Sequence, residues 1–287
     1  MDGILLGGGS GSRLSPLSIT TNKHFFPVYD KPMIYYSLSI LLLSNVKNIT
    51  LICDKFSVDQ YKKLLGDGEE FGININYSLQ NSPDGLPHAI ATGLNHYPME
   101  RFMVVLGDNF LHGREFFNKF DQNYFDDKNV IFYQKVNDPS GFGVLKFDSD
   151  GNLEKLIEKP EGFISNFVAI GVYIFDYKFL SYYEEIKKSS RGEYEIIDIL
   201  NMYLNNDSII PFNLGRGMSW LDMGSYDALV TGSNFVKTIQ DRQDLLVNSP
   251  HEIAFRKGWI SEDLILSLVK KNNQSQYFQN LKSSLEI

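Results

Sequence analysis

The chain has 287 residues, of which 43% are hydrophobic and 22% are charged, as in ordinary globular proteins. Its formal net charge of −8 argues against a broad nucleic-acid-binding surface, and its single cysteine, Cys53, excludes an internal disulfide framework and a cysteine-based metal site. The sequence shows no signal peptide and no apolar run of about 18–20 residues, so we expect no membrane association and a cytoplasmic location.

The first half of the sequence alternates predicted strands with predicted helices. Short runs rich in isoleucine, valine and leucine predict buried strands at 3–6, 49–53 and 102–106, and alternating apolar residues at 73–79 predict a strand nearer an edge. Helical spacing predicts helices at 32–44, 58–65 and 87–96. This alternation predicts an α/β fold with a parallel sheet, which binds ligands at the carboxyl ends of its strands.

The second half has a different character. Short strands are predicted at 130–136, 143–148, 153–158, 167–175, 209–214 and 218–221, with a hairpin turn at 148–151. Helices are predicted at 195–204, 226–239 and 261–270 and in the polar C-terminal tail. We therefore predict an α/β core at 1–225 that includes a smaller antiparallel insertion. A helical region at 226–287 follows, with a role in assembly or regulation.

The first predicted strand runs directly into a glycine-rich loop, which covers residues 7–13 and ends in Arg13. Glycines let backbone N–H groups converge on an anion, and an arginine adds a permanent charge that suits phosphate oxygens. The loop lacks the Lys-Ser/Thr of a nucleoside triphosphatase loop, and it has Ser12 where a dinucleotide-binding loop needs its third glycine. On this motif alone, a phosphate-binding loop and a plain turn are both open.

Two aspartates follow predicted strands. Asp108 comes directly after the strand at 102–106, and Asp222 follows the one at 218–221. Mg²⁺ prefers one or two carboxylates together with phosphates and water, so the two side chains are candidate metal ligands. Each also has a structural interpretation, Asp108 as a turn residue and Asp222 as a residue near a helix N-terminus.

Other polar residues have two interpretations as well. Lys23 and Lys159 are candidate phosphate ligands, although isolated lysines are usually solvated surface charges. Gln80 can present both a donor and an acceptor to a nucleobase, and Gly85 can expose backbone to the same base. Residues 83–85, Pro-Asp-Gly, are also a common turn sequence.

Taken together, these segments resemble the sugar-nucleotide pyrophosphorylases, and most closely the short, tetrameric glucose-1-phosphate thymidylyltransferases. The resemblance spans nearly the whole chain. The segments that carry it are 6–14, 27–36, 64–68, 82–86, 106–109, 158–160, 191–193, 220–222 and 249–258. It implies a Rossmann-like nucleotidyltransferase fold and a homotetramer, often with a second nucleotide site for product feedback.

The resemblance also implies a reaction, in which dTTP and a hexose 1-phosphate, above all glucose 1-phosphate, give a dTDP-sugar and pyrophosphate with the help of Mg²⁺. The implied catalytic residues are Arg13, Lys23 and Lys159. The implied nucleotide-binding residues are Gly8, Gly9, Gly11, Ser12, Gln80, Gly85 and Asp108. The implied sugar-phosphate-binding residues are Asn109, Phe142, Gly143, Glu158, Lys159 and Ile170. The implied Mg²⁺ ligands are Asp108 and Asp222.

The sequence departs from the family pattern at several of these positions. His24 stands where glutamine is common, and His88 also replaces a glutamine. Phe142 and Ile170 replace a tyrosine and a threonine, so each position loses a hydroxyl on the side of the sugar. Since unmatched polar groups are costly to bury, we expect altered sugar selectivity.

Three other functions are weighed against this one. The same chemistry on UTP or CTP is disfavoured by Gln80 and its neighbours, whereas a different sugar 1-phosphate is favoured by the lost hydroxyls. A non-catalytic sensor of nucleotide sugars is disfavoured because both candidate metal carboxylates are present.

Overall fold

The computed structural model describes residues 1–9 and 11–286. The strands in these residues are β1 (Asp2–Leu6), β2 (Pro27–Val28), β3 (Lys31–Pro32), β4 (Asn48–Cys53), β5 (Asn74–Leu79), β6 (Arg101–Leu106), β7 (Asn109–His112), β8 (Val130–Lys135), β9 (Gly143–Phe147), β10 (Leu153–Glu158), β11 (Phe167–Asp176), β12 (Ile210–Asn213) and β13 (Ser219–Asp222). The α-helices are α1 (Met33–Leu43), α2 (Val58–Leu65), α3 (Leu86–His96), α4 (Glu115–Asp121), α5 (Phe179–Glu185), α6 (Ile196–Asn205), α7 (Tyr226–Gln243), α8 (Pro250–Arg256), α9 (Glu262–Lys271) and α10 (Gln276–Leu285).

Nine strands form one mixed sheet. Strands β6, β1, β4 and β5 lie side by side and are parallel, as expected for strands joined by helical crossovers. Beyond β6 the sheet continues antiparallel through β11, β9 and β10, while β8 branches from β11 and carries β12. The predicted α/β fold with a mixed, mostly parallel sheet and a helical C-terminal part is confirmed. The strands of the predicted insertion extend the main sheet rather than forming one of their own.

The apolar residues of β1 explain its central position. Leu5 packs into a hydrophobic cluster that includes α1, whereas Ile4 and Leu6 pack into a second cluster that includes Ile90 of α3. Because successive side chains of a strand point to opposite faces, both faces of β1 are covered. Strand β5 exposes both of its asparagines and Leu79 and lies at the edge of the sheet, as predicted.

Helix α1 is buried on nearly all sides, since every residue from Met33 to Leu42 is buried. The sheet covers one side, and the C-terminal helices cover another through Ile253, Ile265 and Tyr277, which share a cluster with Leu38. The last three helices therefore pack on the same core as the residues before them. None of the helices within 1–9 and 11–286 combines the length and the hydropathy that a membrane crossing requires.

Strands β7 and β13 form a separate two-stranded antiparallel sheet, in which Asp222 lies opposite Asn109. The sequence predicts a strand near β13 but not β7, because β7 is four residues long and follows a turn. Helices α4, α5 and α8 are also absent from the predictions. Helix α8 has a recognisable start, since Pro250 occupies its first turn and the Ser249 side chain accepts a hydrogen bond from the Glu252 N–H.

Candidate functional site

Two adjoining cavities open beyond the carboxyl ends of β1 and β6. The first cavity, of about 290 Å³, is lined by the glycine loop, Lys23 and part of the segment 80–89. The second cavity, of about 280 Å³, is lined by residues of β7, β9, β10, β11 and β13 and of the segment 191–197. Arg13, Leu86 and Glu193 line both cavities, so the two share a wall. The arrangement suits two ligands, or a ligand of two parts, that meet at this wall.

The start of the glycine loop is fixed by hydrogen bonds to the Gly7 peptide. Its N–H donates to the Ile52 carbonyl over 2.7 Å, and its carbonyl accepts from the Tyr61 hydroxyl over 2.9 Å and from Asn22 Nδ2 over 2.8 Å. A Cβ on Gly7 would lie 2.8 Å from the Tyr61 ring, so only glycine fits at this position.

The rest of the loop lines the first cavity. Gly8, Gly9, Gly11 and Ser12 all contribute to its wall, as the resemblance implies. Gly9 and Gly11 have φ values of 114° and 58°, which glycine adopts without strain. Ser10 lies outside the described residues. At its glycines the loop thus presents backbone rather than side chains to the cavity.

Lys23 and Asp108 form a buried ion pair at the boundary of the two cavities, with only 13% and 12% of their side chains exposed. Lys23 lines the first cavity, whereas Asp108 lines the second, although it was predicted among the nucleotide-binding residues. Burial acts to raise the pKa of Asp108, but the charge of Lys23 outweighs it and holds that pKa below its ordinary value. Asp108 is therefore ionised at neutral pH.

A second, weaker pair joins Arg13 to Asp222, with Nη2 3.9 Å from Oδ2. The β7–β13 pairing brings Asp222 beside Asp108, and the Met223 N–H donates to the Asp108 carbonyl over 2.9 Å. Burial and the charge of Asp108 raise the pKa of Asp222. The charge of Arg13 acts to lower this pKa but compensates little, because the Arg13 side chain is 67% exposed. The two candidate metal carboxylates thus meet, which the sequence could not establish.

The chemistry of this pair of carboxylates fits a divalent cation. Asp108 and Asp222 repel each other, and a bound cation would remove that repulsion. No group of three or more metal-binding side chains occurs among the described residues. Two carboxylates are nevertheless enough for Mg²⁺ when phosphate oxygens and water complete its coordination. Asp108 and Asp222 are therefore the residues that would hold a divalent cation.

Gln80 and Gly85 also line the first cavity. Gln80 Nε2 lies 3.1 Å from His88 Nδ1, and the Gln80 Oε1 atom lies close to Gly8. Gly85 precedes α3 with a φ of 101° and bridges to Tyr194. A Cβ on Gly85 would lie only 2.3 Å from the Tyr194 carbonyl oxygen, so the close approach of these two backbones requires glycine.

We expect Gly85→Ala to lower the free energy of unfolding by about 2 to 4 kcal/mol. Alanine would be strained by the positive φ at this position, and its Cβ would clash with the Tyr194 backbone. Gly162→Ala is the matched control, because a Cβ there meets nothing within 4 Å. Urea titration of both variants measures the effect. Equal stability of the two variants would contradict the close approach to Tyr194.

Asn109 anchors the second cavity and is only 2% exposed. Its Oδ1 accepts from Trp220 Nε1 over 2.6 Å and from the Gly171 N–H over 3.3 Å. Its own carbonyl accepts from the hydroxyl of Ser37, a residue of the buried helix α1, over 2.8 Å. These bonds hold β7, β11 and β13 together around the cavity.

Charged side chains form the far wall of the second cavity. Glu158 lies 3.5 Å from Lys159 and 3.0 Å from Arg191, and Arg191 also donates to Glu195 over 2.6 Å. Lys159 has a φ of 39°, which is uncommon for a non-glycine residue and marks a constrained site, and its N–H donates to the Phe142 carbonyl over 3.1 Å. The two cations make this wall suitable for a phosphate.

Ile170 does not lie where the resemblance implies. Phe142 and Gly143 line the second cavity, but Ile170 is fully buried in the hydrophobic cluster of α1. Alternation along β11 explains the difference, since Ala169 and Gly171 face the cavity while Ile170 faces the other side of the sheet. The structure therefore does not place the Ile170 side chain at the second cavity, where the resemblance implies a contact with the sugar.

Several residues of the cavities were not predicted as site residues. Arg191, Trp220 and Tyr173 line the second cavity. Arg191 and Trp220 stand within segments that carry the family resemblance, which is the signal that points to them. Tyr173 lies outside those segments. Only the alternation of side chains along β11 shows that it faces the cavity.

The sequence profile of the nucleotidyl transferase family matches residues 2–239. The chain therefore belongs to the nucleotidyl transferase family of enzymes. It is 39% identical over 286 residues to a glucose-1-phosphate thymidylyltransferase of Mycolicibacterium smegmatis, covering 100% of this chain and 99% of that protein. It is 40% identical over 283 residues to one of Xanthomonas campestris, covering 97% of this chain and 96% of that protein.

Solved structures agree with this assignment. A Bacillus anthracis structure in complex with sucrose, assigned as a glucose-1-phosphate thymidylyltransferase, gives a TM-score of 0.74 at 32% identity and covers 82% of this chain and 94% of that one. A UDP-glucose pyrophosphorylase bound to UDP-glucose gives a TM-score of 0.72 at 21% identity over 83% of this chain and 98% of that one, which supports the fold.

Proposed function

We propose that this chain makes dTDP-glucose and pyrophosphate from dTTP and glucose 1-phosphate. The observation that carries the proposal is the wall between the two cavities. There the Lys23–Asp108 and Arg13–Asp222 pairs each join a cation of the first cavity to a carboxylate of the second. The relatives, which are glucose-1-phosphate thymidylyltransferases, support the choice of substrates.

The first cavity would bind the nucleotide. Gln80 and the backbone at Gly85 would contact the thymine, because an amide side chain and a bare backbone offer both donors and acceptors. Gly8, Gly9, Gly11 and Ser12 would approach the nucleoside and its phosphates through their backbone. Arg13 and Lys23 would hold the triphosphate and then stabilise the charge of the departing pyrophosphate.

The second cavity would bind the sugar 1-phosphate. Lys159 and Arg191 would hold its phosphate, and Glu158 between them fixes the direction of both cations. Asn109 would donate hydrogen bonds to sugar hydroxyls through its amide nitrogen and Glu158 would accept them, with Phe142 and Gly143 beside them. A phosphate oxygen of this substrate would then face the shared wall and the α-phosphorus beyond it.

The reaction is a displacement at phosphorus without a protein nucleophile. The phosphate oxygen of glucose 1-phosphate forms a bond to the α-phosphorus, and the bond from that phosphorus to the bridging oxygen breaks, so that pyrophosphate leaves with the electron pair. Asp108 and Asp222 would hold Mg²⁺, which neutralises phosphate charge during this displacement. The protein contributes position and charge stabilisation.

A matrix of nucleoside triphosphates against sugar 1-phosphates tests the proposal by pyrophosphate release. We expect dTTP with glucose 1-phosphate to give the highest kcat/KM, EDTA to abolish the reaction, and added Mg²⁺ to restore it. Turnover that survives EDTA would contradict the role of the two carboxylates. Absence of turnover with every pair would favour a non-catalytic sensor.

The same matrix separates the other candidates. Preference for UTP or CTP would overturn the choice of base. One feature of the second cavity favours another sugar 1-phosphate as the substrate. Phe142 lines this cavity without a hydroxyl and packs edge-on against Trp220, with ring centroids 5.3 Å apart. A Phe142→Tyr variant would show whether a hydroxyl there sharpens selectivity for glucose 1-phosphate.

Assembly and location are part of the proposal. We propose a homotetramer, supported by exposed apolar residues of α7 such as Val230, which is 61% exposed. Light scattering after size-exclusion chromatography tests this.

A cytoplasmic location agrees with the free, buried thiol of Cys53, and cell fractionation tests it.

A further inference from the structure

A buried hydrogen-bonded pair, His24 and Tyr61, lies behind the glycine loop and has no role in the mechanism above. The two residues are 1% and 0% exposed, and neither lines the first or the second cavity. Tyr61 belongs to α2, whereas His24 belongs to the short turn that carries Lys23. The pair thus connects a helix to the turn that presents a phosphate ligand.

The hydrogen bonds of the pair run in one direction. The Tyr61 hydroxyl donates its proton to the Gly7 carbonyl over 2.9 Å, so its oxygen is left to accept. His24 Nδ1 lies 2.9 Å from that oxygen and is therefore the donor. The chain from His24 through Tyr61 ends on the first peptide of the glycine loop.

The His24 ring also contacts the other side of the site. Its Nε2 and Cε1 atoms lie 2.9 Å from the position that a Cβ on Gly107 would take, directly before Asp108. The turn that bears His24 is itself tied to the loop, because Asn22 accepts from the His24 N–H over 3.0 Å and donates to the Gly7 carbonyl over 2.8 Å. The ring therefore lies between the strand ends that lead to the loop and to Asp108.

We propose that Tyr61 and His24 are positioning residues for the nucleotide, an inference that rests on the proposed function. Tyr61 holds the Gly7 peptide so that the loop keeps its backbone toward the first cavity. His24 holds the Tyr61 hydroxyl and keeps the Lys23 turn packed against Gly107. Neither residue touches substrate, and both act through Gly7 and Lys23.

Tyr61→Phe is the direct test, because it removes the hydroxyl and keeps the ring, which packs against Phe25 with centroids 4.6 Å apart. We expect the KM and Kd for dTTP to rise about tenfold, while the KM for glucose 1-phosphate changes less than about twofold. Initial rates of pyrophosphate release and calorimetric titration of dTTP measure the two effects. Tyr203→Phe is the matched control, because the buried Tyr203 hydroxyl also donates to a backbone carbonyl, that of Asp176, over 3.2 Å, and Tyr203 lines neither cavity.

Two substitutions at His24 separate positioning from stability. His24→Gln keeps a donor for the Tyr61 hydroxyl and is expected to retain the wild-type KM for dTTP. His24→Leu removes that donor and is expected to raise the KM for dTTP. Combining His24→Leu with Tyr61→Phe removes both polar partners, so we expect the melting temperature to recover while the KM for dTTP stays high.

Three results would overturn the positioning role. The first is an unchanged Kd for dTTP in Tyr61→Phe. The second is an equal rise in the KM values for dTTP and glucose 1-phosphate in that variant. The third is recovery of the KM for dTTP together with the melting temperature in the double variant. Wild-type protein that binds dTTP without turnover would remove only the proposed function, since the Kd comparison still stands. Wild-type protein that does not bind dTTP would remove both.

Discussion

Replacing Asp222 by asparagine is expected to lower kcat/KM about 10²- to 10³-fold, while raising the melting temperature of the metal-free protein. The loss of activity follows from the loss of a carboxylate that would hold Mg²⁺. The gain in stability follows from the raised pKa of Asp222, because burial and the charge of Asp108 disfavour its ionised form. Asparagine can still accept the Gly224 N–H, which donates to Asp222 Oδ1 over 3.1 Å.

The pH dependence of that gain has a definite sign. A carboxyl group whose pKa is raised by folding contributes stability at low pH, and this contribution is lost as the pH rises through its folded pKa. The asparagine variant has no such loss. Its advantage over the wild type is therefore expected to be full at neutral pH and to shrink as the pH falls toward 4.

Thermal unfolding in EDTA between pH 4 and 7.5, together with pyrophosphate release in Mg²⁺, measures both effects. Asp227→Asn is the control, since Asp227 is an exposed residue of the first turn of α7. A lower melting temperature for Asp222→Asn at neutral pH would mean that the Arg13 pair outweighs the repulsion from Asp108. Activity close to that of the wild type would remove Asp222 from the metal site.

Replacing Lys23 by methionine is expected to lower both activity and stability. The substitution removes a phosphate ligand, which is worth about a hundredfold or more in kcat/KM. It also leaves Asp108 buried without its partner, and breaking a buried pair in this way costs about 3 kcal/mol. The two substitutions are thus expected to change stability in opposite directions. Asp222→Asn removes the repulsion between Asp108 and Asp222, whereas Lys23→Met leaves Asp108 buried without its partner.

The stability loss of Lys23→Met is also pH-dependent. Because Lys23 holds the pKa of Asp108 low, the wild-type protein gains stability above the unfolded pKa of aspartate and loses it as the pH falls through the folded pKa. The difference between wild type and variant is therefore expected to be largest near neutral pH and to disappear in acid.

Urea titration at several pH values measures this difference, and two controls accompany it. Lys237→Met, on the exposed face of α7 where Lys237 pairs with Asp241, is expected to change stability little. Lys23→Arg keeps the charge and is expected to recover stability. A stability loss that is the same at acidic and neutral pH would show that Lys23 contributes by packing rather than by charge.

The fold was largely predictable because local patterns report it. Buried strands such as β1 and β4 are continuous apolar runs, and α2 has the predicted bounds. Predictions failed where burial comes from distant partners. Strand β7 becomes a strand only by pairing with β13, and a single sequence does not report pairing over such a separation.

The site divides in the same way. The glycine loop and its Arg13 are local features, and the structure places the loop on the first cavity and Arg13 on both. Ile170 was misplaced because a residue matched to a family position says nothing about which face of a strand it takes. The proximity of Asp108 and Asp222, and the links from His24 through Tyr61 to Gly7, are tertiary facts that require coordinates.

The two-stranded sheet of β7 and β13 has a consequence for how the protein acquires activity. Its members are far apart in the chain, since Trp220 and Asn109 are separated by 111 positions, and the sheet is not part of the nine-stranded one. Closing so long a loop costs chain entropy before any contact is made, so we expect this pairing to form late in folding. A chain still growing on the ribosome can complete β1, β4, β5 and β6 long before Asp222 exists. We therefore expect a chain in which β13 has not yet paired with β7 to lack the neighbouring carboxylates of Asp108 and Asp222, and so to be inactive.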